Sequence, residues 1–395
     1  MYLARTLFSV VAETVHEFPA VVLTGPRQSG KTTLLRTSHP EAAYVSFDDP
    51  LQQAFAREDP RGLLSGLGDR TAILDEVQHV PELLPYLKLA IDADRGRTGR
   101  FLLTGSQQFS LMAGVTESLA GRVALLELLP FSWPELRAHG ADWTLAEVLW
   151  RGGYPEPTIH PRRRDLWVRS YLATYLERDV RQLSNVTNLR AFGQLLALAA
   201  ARHGAELNRA DLARDCGVSQ PTAHAWMGVM EASYVLTLLP PYFENLGKRV
   251  VRSPKVYFTD SALVCELTRQ PSAEAALAGA LGGLLLEGWV VNEARKAFTH
   301  RGLRPAIWFW RSNDGLEVDL MVEAGGRVHL VEIKSTATPT ERHAAPLQRL
   351  GGLLGERAGE RIVVCRVDAE TRLPGGALAI PWGAFSERCA GWIGG

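Results

Sequence analysis

Three short runs in the first third of the chain are almost wholly apolar and stop on polar residues: AVVLT at 20–24, AILDE at 72–76 and RFLLTGS at 100–106. Continuous apolar runs of this length predict strands buried on both faces of a parallel sheet. Helical spacing takes over across 133–200, where DLWVRSYLATYLERDVRQL at 165–183 brings Trp167, Tyr171 and Tyr175 round every four residues. That stripe predicts a packing face, with Arg169, Arg178 and Arg181 beside Glu177 and Asp179 on a charged one. From 206 the pattern changes to a helix at 209–215, a turn at Gly217, and a second helix opened by Ser219 as N-cap with Pro221 in its first turn. VLTLLPPY and then PKVYFTD at 254–260 read as hairpin strands, separated by the basic GKRVVR at 247–252. A Pro/Ala/Gly-rich connector is expected at 270–283, followed by the helix LLLEGWVVNEARKAFTHRG and strands at 306–311, 317–323 and 328–334. RIVVCRVD at 361–368 predicts a further core strand and ALAIPWGAF at 377–385 a final edge element.

Composition narrows the chemistry. A chain of 395 residues with 46% hydrophobic and 22% charged residues has material for two or three folded domains. Lys plus Arg equals Asp plus Glu at 43 each, so any contact with DNA or RNA has to be local. The helix pair and hairpin together predict a winged helix, yet its second helix, QPTAHAWMGVME, has no Arg or Lys. A structural or protein-contact role is therefore the favoured reading, with nucleic-acid contact through the basic wing as the alternative. The four cysteines at 216, 265, 365 and 389 have no CxxC spacing, which predicts a reducing compartment. Glu13, His16 and Glu17 interrupt the first apolar stretch and 277–286 is too short to span a bilayer, so a cytoplasmic protein without membrane association is expected. With no nucleophile elbow and no paired cysteines, serine, cysteine and redox chemistry find no support.

Between the first strand and a following helix stands GPRQSGKTT, the residues Gly25, Pro26, Arg27, Gln28, Ser29, Gly30, Lys31, Thr32 and Thr33. This is a phosphate loop: glycines let backbone N–H groups face phosphate oxygens, Lys31 reaches the outer phosphates, and Thr32 offers a hydroxyl to Mg²⁺. Asp75 at the next strand tip fits as the Mg²⁺ partner of Thr32, and Glu76 as the residue that orients and activates water. The third strand ends in Thr104 and Ser106, hydroxyls placed for the γ-phosphate or the water. ATP and Mg²⁺ are the expected ligands.

A second constellation lies near the C-terminus. Glu332 and Lys334 share one face of their strand, and Asp319 on the preceding strand can meet them. Two carboxylates and a lysine suit a Mg²⁺ site for phosphodiester chemistry, with Asp319 and Glu332 on the metal and Lys334 on developing charge. Glu287 on the preceding helix is the candidate to complete the set, Glu293 the fallback, and Gln348 a further polar group aimed at it. A salt bridge on a sheet surface is the structural alternative.

GPRQSGKTTLL, LDEVQHVPELLPYLKLAID at 74–92, FLLTGSQQFSLM at 101–112, SLAGRVALLELLPFSWPEL at 118–136 and GGYPEP at 152–157 resemble a large prokaryotic AAA-type ATP-binding family. In that family the ATPase is joined to a winged helix and a C-terminal domain of unsettled function. The resemblance implies a sensor segment at Thr104, Gly105 and Ser106, and Arg122 as an arginine that reads the γ-phosphate in cis or from a neighbour. VD at 318–319 followed by VEIKS at 331–335 resembles the restriction-endonuclease-like superfamily. The expected fold is thus α/β: a P-loop ATPase domain with a parallel sheet at 1–140, a helical lid at 141–200, a winged helix at 201–268 and a restriction-endonuclease-like domain at 269–395. The leading reading is an ATPase coupled to a nuclease-like domain. The runner-up is a nucleotide-controlled DNA-binding or scaffolding protein whose C-terminal domain is silent. Oligomeric state stays open.

Overall fold

The computed structural model describes residues 2–105, 118–180, 188–242, 253–312 and 314–394. Ser106, Arg181 and the basic segment 247–252 lie outside them. The chain divides into two compact units, residues 1–131 with 299–303 and residues 132–298 with 304–395.

The first unit is built on five parallel strands, β1 (Ala20–Thr24), β2 (Ala43–Ser46), β3 (Ala72–Asp75), β4 (Phe101–Thr104) and β5 (Val123–Glu127). Their order is β2-β3-β4-β1-β5. Every residue of β1, β3 and β4 is buried, which is why their runs are apolar throughout. Alternate side chains enter opposite cores, because successive residues of a strand point to opposite faces. Val22, Leu74 and Leu103 pack with Phe47, Leu63, Leu84 and Leu87, while Val21, Leu23, Ile73 and Leu102 pack with Leu7, Val11, Leu34 and Leu35. The helix that follows the phosphate loop, Lys31–Ser38, therefore lies on the face opposite the helices Pro60–Leu67 and Leu84–Ala93.

In the second unit the aromatic stripe packs as its spacing predicts. Trp167 stacks on Tyr171 with centroids 5.1 Å apart, and Tyr154 tilts against both. Tyr154 belongs to the GGYP segment, whose first glycine has a steric cause. Asp260 lies so close to Gly152 that a Cβ there would fall 1.9 Å from its carboxylate, and the N–H of Gly153 donates to that carboxylate at 2.7 Å. The helix Arg209–Cys216 ends on Gly217 in the left-handed region, and the Ser219 hydroxyl accepts from Thr222 N at 3.2 Å to cap the helix Gln220–Ala232. β6 (Leu236–Leu239) and β7 (Lys255–Phe258) pair antiparallel.

The rest of this unit carries a mixed six-stranded sheet of β8 (Ile307–Arg311), β9 (Glu317–Ala324), β10 (Arg327–Ile333), β11 (Ala358–Cys365), β12 (Thr371–Arg372) and β13 (Leu378–Pro381), in the order β12-β13-β11-β10-β9-β8. β8, β9 and β10 form an antiparallel meander, and β11 joins β10 in parallel. Two expectations are corrected. The stretch 270–283 is no plain connector, since Ser272 caps a helix Ala273–Ala278 inside it. The strand in ALAIPWGAF is interior, with the short β12 outside it as the edge. Its apolar run was readable, but edge position depends on a two-residue neighbour too short to leave a pattern. No described helix is long and apolar enough to cross a membrane.

Candidate functional site

The phosphate loop leaves β1 on Gly25 at φ +138°, where a Cβ would meet the carbonyl oxygen of Leu128 at 2.2 Å. Only glycine fits that combination of angle and close approach. Gly30, at φ 96°, then opens the helix Lys31–Ser38 with no side chain capping it, leaving the turn open to an anion. Within the loop Lys31 is buried, and its ammonium donates to the carbonyls of Gly25 at 3.0 Å and Pro26 at 2.9 Å. Burial pulls the Lys31 ammonium down to about 8 against the pull of Glu76 and Asp75. Ser29 is fully buried, and its hydroxyl has no hydrogen-bond partner. A loop that holds a cation and an unsatisfied donor around its own carbonyls fits a phosphate group.

Behind the loop stands a residue the sequence pattern did not single out. The Arg5 guanidinium is buried, donates to Ser29 O at 2.9 Å and to Leu129 O, and lies 4.4 Å over the Phe131 ring. It ties the loop to the chain beyond β5. Nothing local marks it, because its partners are 24 and 124 residues away.

Asp75, at the tip of β3, gathers three hydroxyls. Thr32 donates to its Oδ1 at 2.8 Å, Thr104 donates to the same oxygen, and Tyr44 donates to Oδ2 at 2.9 Å. Thr104 also accepts from the backbone N–H of Glu76 at 3.0 Å. Glu76 itself sits in the left-handed region at φ 55°, and its carboxylate accepts from the Gln78 amide. A hydroxyl and a carboxylate side by side are hard oxygen donors of the kind Mg²⁺ takes, so Thr32 and Asp75 fit that ion. Arg122 does not project freely: its guanidinium grips both oxygens of Asp92, at 2.8 and 2.9 Å. That hydrogen bonding outweighs the opposing effect of burial and, with Arg95 beside it, holds the Asp92 carboxyl at about 2.

In the second unit Asp319 on β9 and Glu332 on β10 do meet. Lys334 bridges them, 3.3 Å from Asp319 Oδ2 and 2.6 Å from Glu332 Oε1, and Ile333 N–H donates to Asp319 Oδ2 at 2.8 Å. Glu287 joins this group, and three further residues come with it. Glu287, Glu317 and Asp319 present carboxylate oxygens all within 4.8 Å of one another. Lys255, the first residue of β7, reaches Glu287 Oε1 at 2.8 Å and also pairs with Glu317, while the Tyr257 hydroxyl donates to Glu287. Period two along β9 puts Glu317 beside Asp319 and was a readable signal; nothing local announced Lys255. Glu293 is committed elsewhere, accepting from Trp133 N and Ser386 Oγ at 2.8 Å each. Gln348 donates to Pro374 O at 3.1 Å.

Like charges crowd this group. Burial first and Asp319 second push the carboxyl of Glu332 up, and the same two causes push up that of Glu287. Glu332 is buried and its Oε2 has no hydrogen-bond partner. Buried, crowded carboxylates with one orphaned oxygen fit a divalent cation such as Mg²⁺.

A parallel sheet with its glycine loop, lysine and acidic strand tip on one edge defines a P-loop nucleotide-binding protein. The model of an AAA domain matches residues 17–137. Two domain models of unknown function match residues 142–274 and 282–385. An uncharacterized protein of Mycobacterium tuberculosis, Rv2008c, is 36% identical over 332 residues, covering 82% of this chain and 72% of that protein. Its counterpart in Mycobacterium bovis, Mb2031c, matches to the same extent. The chain belongs to the AAA-type ATP-binding family of these two proteins. Among solved structures, a Walker-type ATPase of Pyrococcus abyssi is 17% identical, covering 66% of this chain and 94% of its own, with a TM-score of 0.45. The RuvB Holliday junction branch migration motor of Thermotoga maritima is 16% identical, covering 59% of this chain and 89% of its own, with a TM-score of 0.32.

Proposed function

We propose that the chain hydrolyses ATP with Mg²⁺ at the phosphate loop and that its C-terminal domain holds a divalent cation in a nuclease-like site. The observation that carries the first part is the meeting of Thr32 and Thr104 on one oxygen of Asp75, next in the chain to Glu76. Mg²⁺ bound by Thr32 and Asp75 would neutralise phosphate charge. Lys31 holds the outer phosphates, Glu76 orients the attacking water and takes its proton, and Thr104 keeps Asp75 and the Glu76 backbone in place. Arg122 serves the γ-phosphate only if it exchanges Asp92 for it. The division into an ATPase domain, helical lid, winged helix and restriction-endonuclease-like domain belongs to the same proposal. So do a cytoplasmic location and a DNA, RNA or protein partner. The purified chain is expected to release phosphate from ATP in Mg²⁺ and to stop in EDTA. ATP bound without phosphate release would replace this reading by the nucleotide-controlled scaffold.

One observation favours that second reading for the C-terminal domain: Lys255 already occupies Glu287 and Glu317 as an ion-pair partner. The helix Gln220–Ala232, moreover, has no Arg or Lys to offer nucleic acid.

Lys31 also supplies a pH test. Its ammonium loses its proton near pH 8 in the free protein, and bound phosphate raises that point by favouring the charged form. ATP affinity is therefore full below pH 8 and falls as pH rises through it, by up to about tenfold per unit. Titrations over roughly pH 7.5 to 9.5, where phosphate is already ionised, isolate the lysine. Calorimetry in two buffers of different ionisation enthalpy should find proton uptake on binding at the upper end, and pH-independent affinity would contradict it.

A further inference from the structure

We propose that Lys255 is a built-in cation that keeps the C-terminal carboxylate site closed, and that a divalent ion enters by displacing its ammonium. The inference rests on the reading above that Asp319 belongs to a divalent-cation site.

Three observations converge on it. Lys255 Nζ stands 2.8 Å from Glu287 Oε1 and pairs with Glu317 Oε1, two of the three carboxylates whose oxygens lie within 4.8 Å of one another. An ammonium is a compact point charge, so among these oxygens it supplies the neutralisation a metal would supply and engages two of the same ligands. The charges do not balance with Lys255 alone. Among the described residues, Lys255 and Lys334 face Glu287, Glu317, Asp319 and Glu332, while Arg311 is shared between Glu317 and Glu206. With all four carboxylates ionised, the form in which they ligate a metal, two negative charges are left over, the charge of one divalent ion. The third observation is the orphaned Oε2 of Glu332, on a side chain 5% exposed that feels both Asp319 and Glu287. An acceptor buried without a donor in a crowd of carboxylates suits a cation.

Lys255 pairs with two carboxylates at once. Unlike a free ion it is tethered, at the head of β7, where it pairs with Leu239 in β6 and bridges to Glu206. Its targets sit on other elements, the helix Gly282–Thr299 and β9. Displacement would thus link occupancy of the site to the position of the β6–β7 hairpin, and the linkage would run both ways.

The test is Mn²⁺ titration of the full, nucleotide-free chain by calorimetry, comparing wild type with Lys255→Met, Lys255→Arg, Asp319→Asn and the Lys255→Met/Asp319→Asn double variant. Lys255→Met is expected to bind Mn²⁺ more tightly than wild type by roughly tenfold or more, because the competing charge is gone. Lys255→Arg keeps the charge and should not gain affinity, and both Asp319→Asn chains should lose the site. Mn²⁺ should also raise the melting temperature of Lys255→Met more than that of wild type, since the ion replaces the cation the buried carboxylates lost. If Lys255→Met folds only with Mn²⁺, an Mn²⁺-dependent folding midpoint absent from the double variant supports the proposal equally. Equal Mn²⁺ affinity in wild type and Lys255→Met, lost with Asp319→Asn, overturns the displacement and leaves the metal-site reading standing. Lys255→Met that folds at no Mn²⁺ concentration, beside Asp319-dependent binding in wild type, also overturns it, as the ion then cannot stand in for the lysine. Absence of Asp319-dependent binding in any variant removes the metal site itself.

Discussion

Glu76→Gln is expected to bind ATP about as tightly as the wild type and to hydrolyse it roughly 10²- to 10⁴-fold more slowly, the range for loss of a positioned general base. The substitution is close to isosteric, and glutamine tolerates the left-handed backbone at φ 55° about as well as glutamate. The main-chain bond from residue 76 to Thr104 at 3.0 Å does not involve the side chain and should survive. What changes is the carboxylate, which can take a proton from water where an amide cannot. Asp75→Asn makes the contrast. Its carboxylate receives the hydroxyls of Thr32, Tyr44 and Thr104, so its loss should raise the Mg²⁺ requirement. Nucleotide binding by fluorescence and turnover by phosphate release separate the two. Wild-type turnover by Glu76→Gln would assign the water to another residue.

Lys31→Ala is expected to weaken ATP binding by roughly 10- to 100-fold, the worth of one or two hydrogen bonds to a charged group. Turnover should fall further, by roughly 10² to 10³, because the ammonium meets the greatest charge as the phosphoryl group transfers. In the free protein Lys31 donates to the carbonyls of Gly25 and Pro26, so alanine also removes a buried donor from the loop. The fold should persist, since both cores of the first unit are made by apolar side chains of the sheet and its helices. Calorimetry checks binding and thermal melting checks the fold. Unchanged ATP affinity would refute the role.

Local features were legible and distant ones were not, for physical reasons. The phosphate loop could be read because its demands are backbone angles set within the loop: Gly25 at φ +138° and Gly30 at φ 96° take conformations that favour glycine, and Gly30 opens the helix beside it. β1, β3 and β4 could be read because strands buried on both faces have no polar position to spare. Glu332 and Lys334 could be placed on one face because a strand has period two.

Strand order was different in kind. β4 lies between β1 and β3, though it follows both in the chain, and that insertion carries Thr104 to Asp75. Asp92 holds Arg122, which the family resemblance assigns to the γ-phosphate, because the helix Leu84–Ala93 places a carboxylate within its reach. Arg5 reaches the loop across residues that share no periodicity with it. Lys255 opens a strand paired with β6, and only the packing of that hairpin, the helix Gly282–Thr299 and β9 makes it a neighbour of Glu287 and Glu317. Backbone angles and strand faces follow from adjacent residues, so the sequence by itself determined the loop, the buried strands and the acidic pairs. Ion pairs between elements depend on which surfaces pack, so only the tertiary structure decided what those acidic residues meet.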